Sequence, residues 1–364
     1  MNINDMDGTS CPLDKKDRRI PGIAQVSIIY SISMALFIFV GSRVQRKELY
    51  FGLLITEFAL IMLPALLYLV ITRCNIKEYA RLNYTKPLNF LVVFCIMLFA
   101  IPLAGVFNLI NLYVVNSIFG RVITTQIPAA ENGISLLVSI AVIAGSAGIC
   151  EEFLFRGVIQ RGLERLGAVR SILIAALLFS FTHVDFQKIL GTFVLGVLLG
   201  FIVYKTNSVF CGMFAHFTNN ALAVLVNYVA AKMTSGMQGT GINTSADSVD
   251  LNSLLEIFSS LPAEARIIAF FIYGFIFLFI AVVFVLLLNV LIRINKDQRN
   301  VVSMNTTEID MNDEAKSRRK AARGLIWAVP GILLVLTMYT YEIYLFTGNE
   351  NIIVGVLLKL LGLG

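Results

Sequence analysis

Long uninterrupted apolar runs, rather than alternating polar and apolar positions, dominate this chain. The run from Ile267 to Ile292 covers 26 residues and the run from Leu88 to Gly120 covers 33, without one Asp, Glu, Lys, Arg or His. About 20 mostly apolar residues carry a helix across the hydrocarbon core, and lipid admits only helices or closed barrels, which would show weak alternation instead. We therefore predict an all-α polytopic membrane protein of about eight to nine transmembrane helices, with spans at 23–42, 50–71, 88–114, 133–153, 169–184, 187–204, 208–231, 267–292 and 325–347.

Composition points to the same fold class and confines any chemistry to the bilayer or its edge. The chain is 57% hydrophobic and 14% charged, with a mean hydropathy of +0.81, whereas soluble domains are about 45–50% apolar and about 25% charged. The net charge of +6 is best explained by loop charges that set topology, so no nucleic-acid partner is expected. The five cysteines are scattered without disulfide or metal spacing. Because the first twenty residues are polar, the first span is expected to act as its own insertion signal.

Basic residues fall unevenly on the two sides of the predicted bundle. With the N-terminus inside, 21 of the 29 Lys and Arg residues lie in inner segments, Arg156 among them. Cytoplasmic loops carry such an excess. We therefore predict a multi-pass protein of the cell membrane with a cytosolic N-terminus. Arg43, Arg46 and Lys47 are the main exceptions.

The polar interruptions divide the chain into four regions. Residues 1–130 form an N-terminal three-helix membrane region, and 131–232 form the core that carries the candidate chemistry. Residues 233–266 are predicted to be an outer loop that ends in an amphipathic helix, since Leu251, Leu254, Leu255 and Phe258 follow helical spacing. Residues 267–364 hold the C-terminal membrane helices and a cytosolic loop, and the tail 351–364 is too short to cross the bilayer.

A few ionisable residues interrupt the apolar segments of the core. The chain has two histidines, His183 and His216, and both lie in such segments, as does the acidic pair Glu151-Glu152. Ionisable groups inside a membrane are costly unless they face a cavity or a partner, so they are functional candidates by default. We expect the helices to enclose an intramembrane active-site cavity around them.

Helical spacing assigns these residues to faces. Glu152 and Arg156 are four residues apart and can pair, whereas Glu151 lies about 100° further round the helix and can point elsewhere. Small residues upstream allow another helix to approach closely. Two later segments repeat the four-residue spacing. The positions involved are Gly145, Ser146, Ala147 and Gly148 upstream, Phe179 with His183, and His216 with Asn220, next to Asn219.

Together these side chains contain the groups that a water-dependent hydrolase needs. A partly desolvated carboxylate can act as the general base for water. One imidazole could orient the water or protonate a leaving amine. The other imidazole, with the Asn amide, could donate hydrogen bonds to an oxyanion, typically worth about 3 kcal/mol per donor.

The three motifs resemble those of a known membrane-protein family. Glu151-Glu152-x-x-x-Arg156, Phe179-x-x-x-His183 and His216-x-x-x-Asn220 look like the signature motifs of the CPBP family. This family comprises the type II CAAX prenyl endopeptidases and the bacteriocin-processing or immunity-related (Abi-like) membrane proteins, and the resemblance covers roughly residues 133–232.

The resemblance implies roles for individual residues. It makes Glu151 the catalytic base. His183, His216 and Asn220 become the water-orienting and oxyanion-stabilising groups. Structural roles behind the base fall to Glu152, Arg156 and Phe179. It further implies that a peptide or protein substrate, classically one with a prenylated cysteine, is cleaved close to the cytosolic face of the membrane.

A metal is an open alternative in this interpretation. One Glu and two His, here Glu151, His183 and His216, resemble a catalytic zinc ligand set, and the family is often called a metalloprotease group. However, the sequence has no His-Glu-x-x-His motif, and a metal-bound Glu151 would require another base. We favour activation of water by glutamate and histidine without a cofactor.

Two positions fit this interpretation less well. His183 falls about fourteen residues into its predicted span, so the chain would have to turn back inside the bilayer, or the helix would have to tilt, for His183 to reach the other groups. Glu57 is a further intramembrane carboxylate, interpreted as near the outer interface or as a packing partner rather than as a catalytic group.

Two other function classes compete with the endopeptidase. A proton-coupled transporter could use the same polar residues as a relay, although no internal repeat of the kind found in many transporters is evident. A non-proteolytic scaffold or immunity protein of the same fold is the other alternative.

Overall fold

The computed structural model describes residues 20–120, 122, 129–237, 258–296 and 322–347. The described part is helical, without a β-strand. Several positions of the sequence predictions lie outside the described residues. They are the N-terminal basic residues, the outer-loop positions Leu251, Leu254 and Leu255, most of the loop before Arg323, and the tail 351–364. The helices are α1 (Ile23–Lys47), α2 (Leu49–Ile71), α3 (Ile76–Tyr79), α4 (Pro87–Phe119), α5 (Gly133–Leu166), α6 (Ala168–Thr182), α7 (Ile189–Thr206), α8 (Val209–Met237), α9 (Ala263–Ile294) and α10 (Val329–Thr347), the last entered through a 3-10 turn (Arg323–Ala328).

Eight helical segments among the described residues are long and apolar enough to cross a membrane. This confirms the predicted all-α polytopic membrane protein. The predicted span 169–184 differs, because α6 has only 15 residues and is about 22 Å long, short of the hydrocarbon thickness of about 30 Å.

Two predicted spans end before the corresponding helices do. Helix α1 continues to Lys47 and therefore includes Arg43 and Arg46. Helix α5 continues to Leu166, so Arg156 lies within a helix, 1% exposed, rather than in an inner loop. Both extensions carry charged residues, which a hydropathy pattern places outside a span; of those named, Arg156 is buried against protein, whereas Arg43 and Arg46 are exposed.

Short turns connect the helices around the core. Gly167, between α5 and α6, has φ +95°, and Asn207, between α7 and α8, has φ +48°; glycine and asparagine are the residues that adopt positive φ most readily. Arg81 joins these two turns, since its guanidinium donates to Glu164 at 2.6 Å and to the Asn207 side chain at 2.9 Å. The start of α6 and the end of α7 therefore lie at the same end of the bundle.

Helix α5 packs closely against α8, as the small residues before Glu151 predict. A Cβ atom added to Gly148 would lie 3.1 Å from the carbonyl oxygen of Met213 and 3.2 Å from the backbone nitrogen of Phe217. Gly196 on α7 is equally close to α6, 3.1 Å from the Cα of Ala176. These contacts bring the three polar motifs onto neighbouring helices.

Candidate active site

Glu152 is the hub of a buried polar cluster. Its carboxylate is 0% exposed, and its Oε1 accepts hydrogen bonds from Arg156 Nη1 at 2.5 Å and from His216 Nδ1 at 2.9 Å. The pairing of Glu152 with Arg156 expected from their spacing is therefore present. The contact with His216 links the first motif on α5 to the third on α8.

Arg156 is held from three directions. Besides Glu152, it donates from Nη2 to the carbonyl oxygen of Gly196 on α7 at 3.1 Å. Its guanidinium also lies 4.3 Å from the centroid of the Phe179 ring on α6, within the range of a cation–π contact. A buried charge is stable only when it is paired and hydrogen-bonded, and here one arginine joins α5, α6 and α7.

Phe179 brings the two histidines together. Its ring centroid lies 5.0 Å from that of His183 and 5.7 Å from that of His216, both edge-to-face. His183 follows the last residue of α6, and the chain then turns within six residues into α7, which returns to the end where α6 began. Because the chain turns from α6 into α7 before the far end of the bundle, His183 reaches the level of His216.

The hydrogen bonds define the tautomers of both imidazoles. His216 Nδ1 faces a carboxylate and His183 Nδ1 faces the carbonyl oxygen of Phe179 at 3.1 Å. Both partners can only accept, so each Nδ1 carries a proton and donates. In each ring Nε2 is the nitrogen that these bonds do not use; His183 is an exposed residue, whereas His216 is buried.

Glu151 points away from Glu152, as their angular separation on the helix predicts. Its carboxyl group lies within hydrogen-bonding reach of that of Glu57 on α2, and residues 147–152 of α5 pack against residues 55–62 of α2. This contact agrees with the interpretation of Glu57 as a packing partner. The sequence distinguishes Glu57 in one respect, because Glu57 is the only acidic or basic residue between positions 50 and 71.

Asn220 lies one helical turn after His216 on α8. Its Oδ1 accepts a hydrogen bond from Asn219 Nδ2 at 2.9 Å, which orients the carboxamide and leaves its Nδ2 as the donor. The structure gives no contact between Asn220 and Glu151 or His183 among the described residues, so its role stays a prediction.

The alternative zinc ligand set does not come together. Within the described ranges, no group of three or more His, Cys, Asp or Glu side chains is close enough to hold a metal ion. The bond from His216 Nδ1 to Glu152 orients that ring. The mechanism without a cofactor stays a prediction.

Two helices outside the three motifs hold the turn that follows His183. The backbone N–H of Phe186 donates to Glu342 on α10 at 3.0 Å, and its carbonyl oxygen accepts from Asn111 on α4 at 2.8 Å. In the same turn Val184 has φ +47°, which is unusual for a β-branched residue. These contacts could not be predicted from the sequence, since both partners are far away along the chain.

Comparison with known protein families gives a match over the region that carries the three motifs. Residues 133–222 match the family model described as Rce1-like, type II CAAX prenyl endopeptidase. Neither curated proteins nor solved structures give a significant match to the chain. The matched region contains all three motifs, while Glu57 and Glu342 lie outside it. The match covers 90 of the 364 residues, and over this region the chain is similar to type II CAAX prenyl endopeptidases.

Proposed function

We propose that this protein is an intramembrane endopeptidase that hydrolyses a peptide bond with water activated by Glu151. The observation that carries the proposal is the convergence of both histidines on Phe179, beside the Glu151-Glu152 pair, within the family-matched region. A transporter relay does not require this combination of a base, two imidazoles and a carboxamide donor.

In the proposed reaction Glu151 takes a proton from water as the water oxygen attacks the peptide carbonyl carbon. The carbonyl π electrons move to its oxygen, and His216 Nε2–H and the Asn220 amide donate to the resulting oxyanion. When the C–N bond breaks, the amine leaves with the proton that Glu151 took up. The products are a carboxylic acid and an amine.

The different partners of the two histidines support different roles. His216 Nδ1 is paired with the Glu152 carboxylate, which orients that ring, and the proposal uses its Nε2–H as a donor to the oxyanion. His183 has only a backbone carbonyl at Nδ1, so its ring is better suited to stay neutral and to accept a hydrogen bond from water at Nε2. No metal enters the proposal.

The substrate class is a membrane-associated peptide or protein, with prenylated CAAX sequences as the first candidate. The exposed position of His183 supports access by such a chain. The bundle end that carries Arg81, Arg161 and Arg165 is proposed to face the cytosol, with the N-terminus on the same side in the cell membrane.

Cleavage profiling tests the function. Purified protein in nanodiscs is incubated with a farnesylated CAAX peptide and with a non-prenylated peptide library, and the products are identified by mass spectrometry. We expect discrete endoproteolytic products that a Glu151, His183 and His216 triple substitution abolishes. A phenotype in cells that survives the triple substitution would favour the scaffold alternative, and flux across sealed vesicles without proteolysis would favour the transporter.

The turn after His183 gives a second prediction. Replacing Glu342 with Leu removes the acceptor of the Phe186 N–H, so the turn can shift and His183 moves with it. Since a misplacement of about 1 Å can cost about 10²-fold in rate, we expect kcat of peptide cleavage to fall by about 10- to 10²-fold.

Glu342→Gln is the matched variant, because its amide oxygen can still accept the Phe186 hydrogen bond. We expect it to stay within about threefold of the wild-type rate. The exposed residue Leu336 on the same helix supplies a control, Leu336→Ala, with an unchanged rate. Equal rates for Glu342→Leu and wild type would show that the contact does not position His183.

A further inference from the structure

Glu57 is a buried carboxyl group that the proposed reaction does not yet use. It is 8% exposed, on α2 and outside the family-matched region. Its side chain lies within hydrogen-bonding reach of that of Glu151, and the two helix segments that carry them pack together. In both residues Oε2 is buried and has no hydrogen-bond partner among the described residues.

A hydrogen bond between two carboxyl groups requires a proton on one of them, because an ionised carboxylate can only accept. Two carboxylates in contact cannot both be ionised at low cost, as the aspartic-protease dyad illustrates. When Glu151 is the ionised base, the proton must therefore reside on Glu57, which then donates to it. This bond limits the orientations that the Glu151 carboxylate can adopt.

The charges of the whole cluster agree with this assignment. Glu57, Glu151 and Glu152 would carry three negative charges beside the single permanent positive charge of Arg156. Uncompensated charge is costly in a site shielded from water. A proton on Glu57 removes one of the two excess negative charges, with Glu151 still ionised.

We propose that Glu57 is a positioning residue, whose carboxyl group donates a hydrogen bond that fixes the Glu151 carboxylate for its attack on water. This inference rests on the proposed function. It gives α2, which contributes to none of the three motifs, a direct contact with the general base. Glu57 itself makes no bond to the substrate and transfers no proton to it.

Two substitutions test whether Glu57 acts as a hydrogen-bond donor or only fills space. Glu57→Gln keeps a donor, since its amide N–H can reach Glu151, and we expect kcat within about threefold of wild type. Glu57→Leu keeps approximate volume without a donor, and we expect kcat to fall by about 10²-fold with KM changed by less than about twofold. Phe58→Ala, at an exposed neighbour on the same helix, serves as the control with an unchanged kcat.

The outcomes distinguish this inference from the proposed function. The positioning role is wrong, while the proposed function stands, if three results occur together: wild type cleaves peptides, Glu151→Gln is inactive, and Glu57→Leu keeps full activity. Equal losses in Glu57→Gln and Glu57→Leu would also overturn it, because a donor at position 57 would then be insufficient.

An infrared measurement decides the point without any substrate. At neutral pH we expect the wild-type protein to show the C=O stretch of a protonated carboxylic acid, and Glu57→Gln to show less of it. An unchanged band in Glu57→Gln would overturn the inference even if no peptide is cleaved.

Discussion

Glu151→Gln is expected to reduce kcat of peptide cleavage by at least about 10³-fold. The amide has nearly the shape of the carboxylate but cannot take up the proton of the attacking water, and general-base catalysis typically contributes about 10²–10⁴-fold. KM should change little, since the substitution removes a group that acts in the transition state. Single-turnover cleavage of the peptide found by profiling measures the effect.

The controls for this prediction exclude a loss through misfolding. The melting temperature of Glu151→Gln should match that of wild type, because Gln can still hydrogen-bond with Glu57. Glu78→Gln, at an exposed residue of the short helix α3 outside the three motifs, should cleave at the wild-type rate. A Glu151→Gln protein that cleaves as fast as wild type would exclude Glu151 as the base.

Arg156→Leu is expected to destabilise the folded protein by about 3–5 kcal/mol. The substitution leaves the carboxylate of Glu152, which is 0% exposed, without its charged partner, and an uncompensated buried charge costs about that much. It also removes the bond to Gly196 and the contact with the Phe179 ring. Unfolding in mixed micelles, followed by tryptophan fluorescence or circular dichroism, measures the loss.

A second ion pair on the same helix provides the matched control. Arg161 is 33% exposed and pairs with Glu164 at 2.6 Å, so Arg161→Leu should cost no more than about 1 kcal/mol. The double variant Glu152→Gln with Arg156→Leu should be more stable than Arg156→Leu alone, since no unpaired charge remains. Equal stability of the single and double variants would show that the buried charge is not the cause.

The parts of the fold that depend on local pattern were predictable from the sequence. Apolar runs longer than the bilayer thickness specify helices such as α4 and α9 whatever their neighbours are. The pairing of Glu152 with Arg156 follows from helix geometry alone, and so does the separation of Glu151 from it. Helix ends were less predictable where charged residues face protein, as Arg156 does in α5.

The parts that depend on which helices pack together were not predictable. Nothing in the local sequence of α2 shows that Glu57 faces Glu151, because the rotation of each helix is set by packing. The same holds for Glu342 and Asn111, whose contacts with Phe186 connect α10 and α4 to a turn far away along the chain. The level of His183 became clear only from the short α6 and its turn into α7.

The origin of the oxygen atom in the product is the most direct test of water activation by Glu151 without a metal. The peptide is cleaved in H₂¹⁸O in the presence of a strong chelator, and the new C-terminus is analysed by mass spectrometry. We predict one ¹⁸O atom in each new carboxyl group, formed at the same rate as without chelator, and no labelled product from Glu151→Gln. Product without ¹⁸O, or activity that is lost with the chelator and restored by Zn²⁺, would contradict this mechanism.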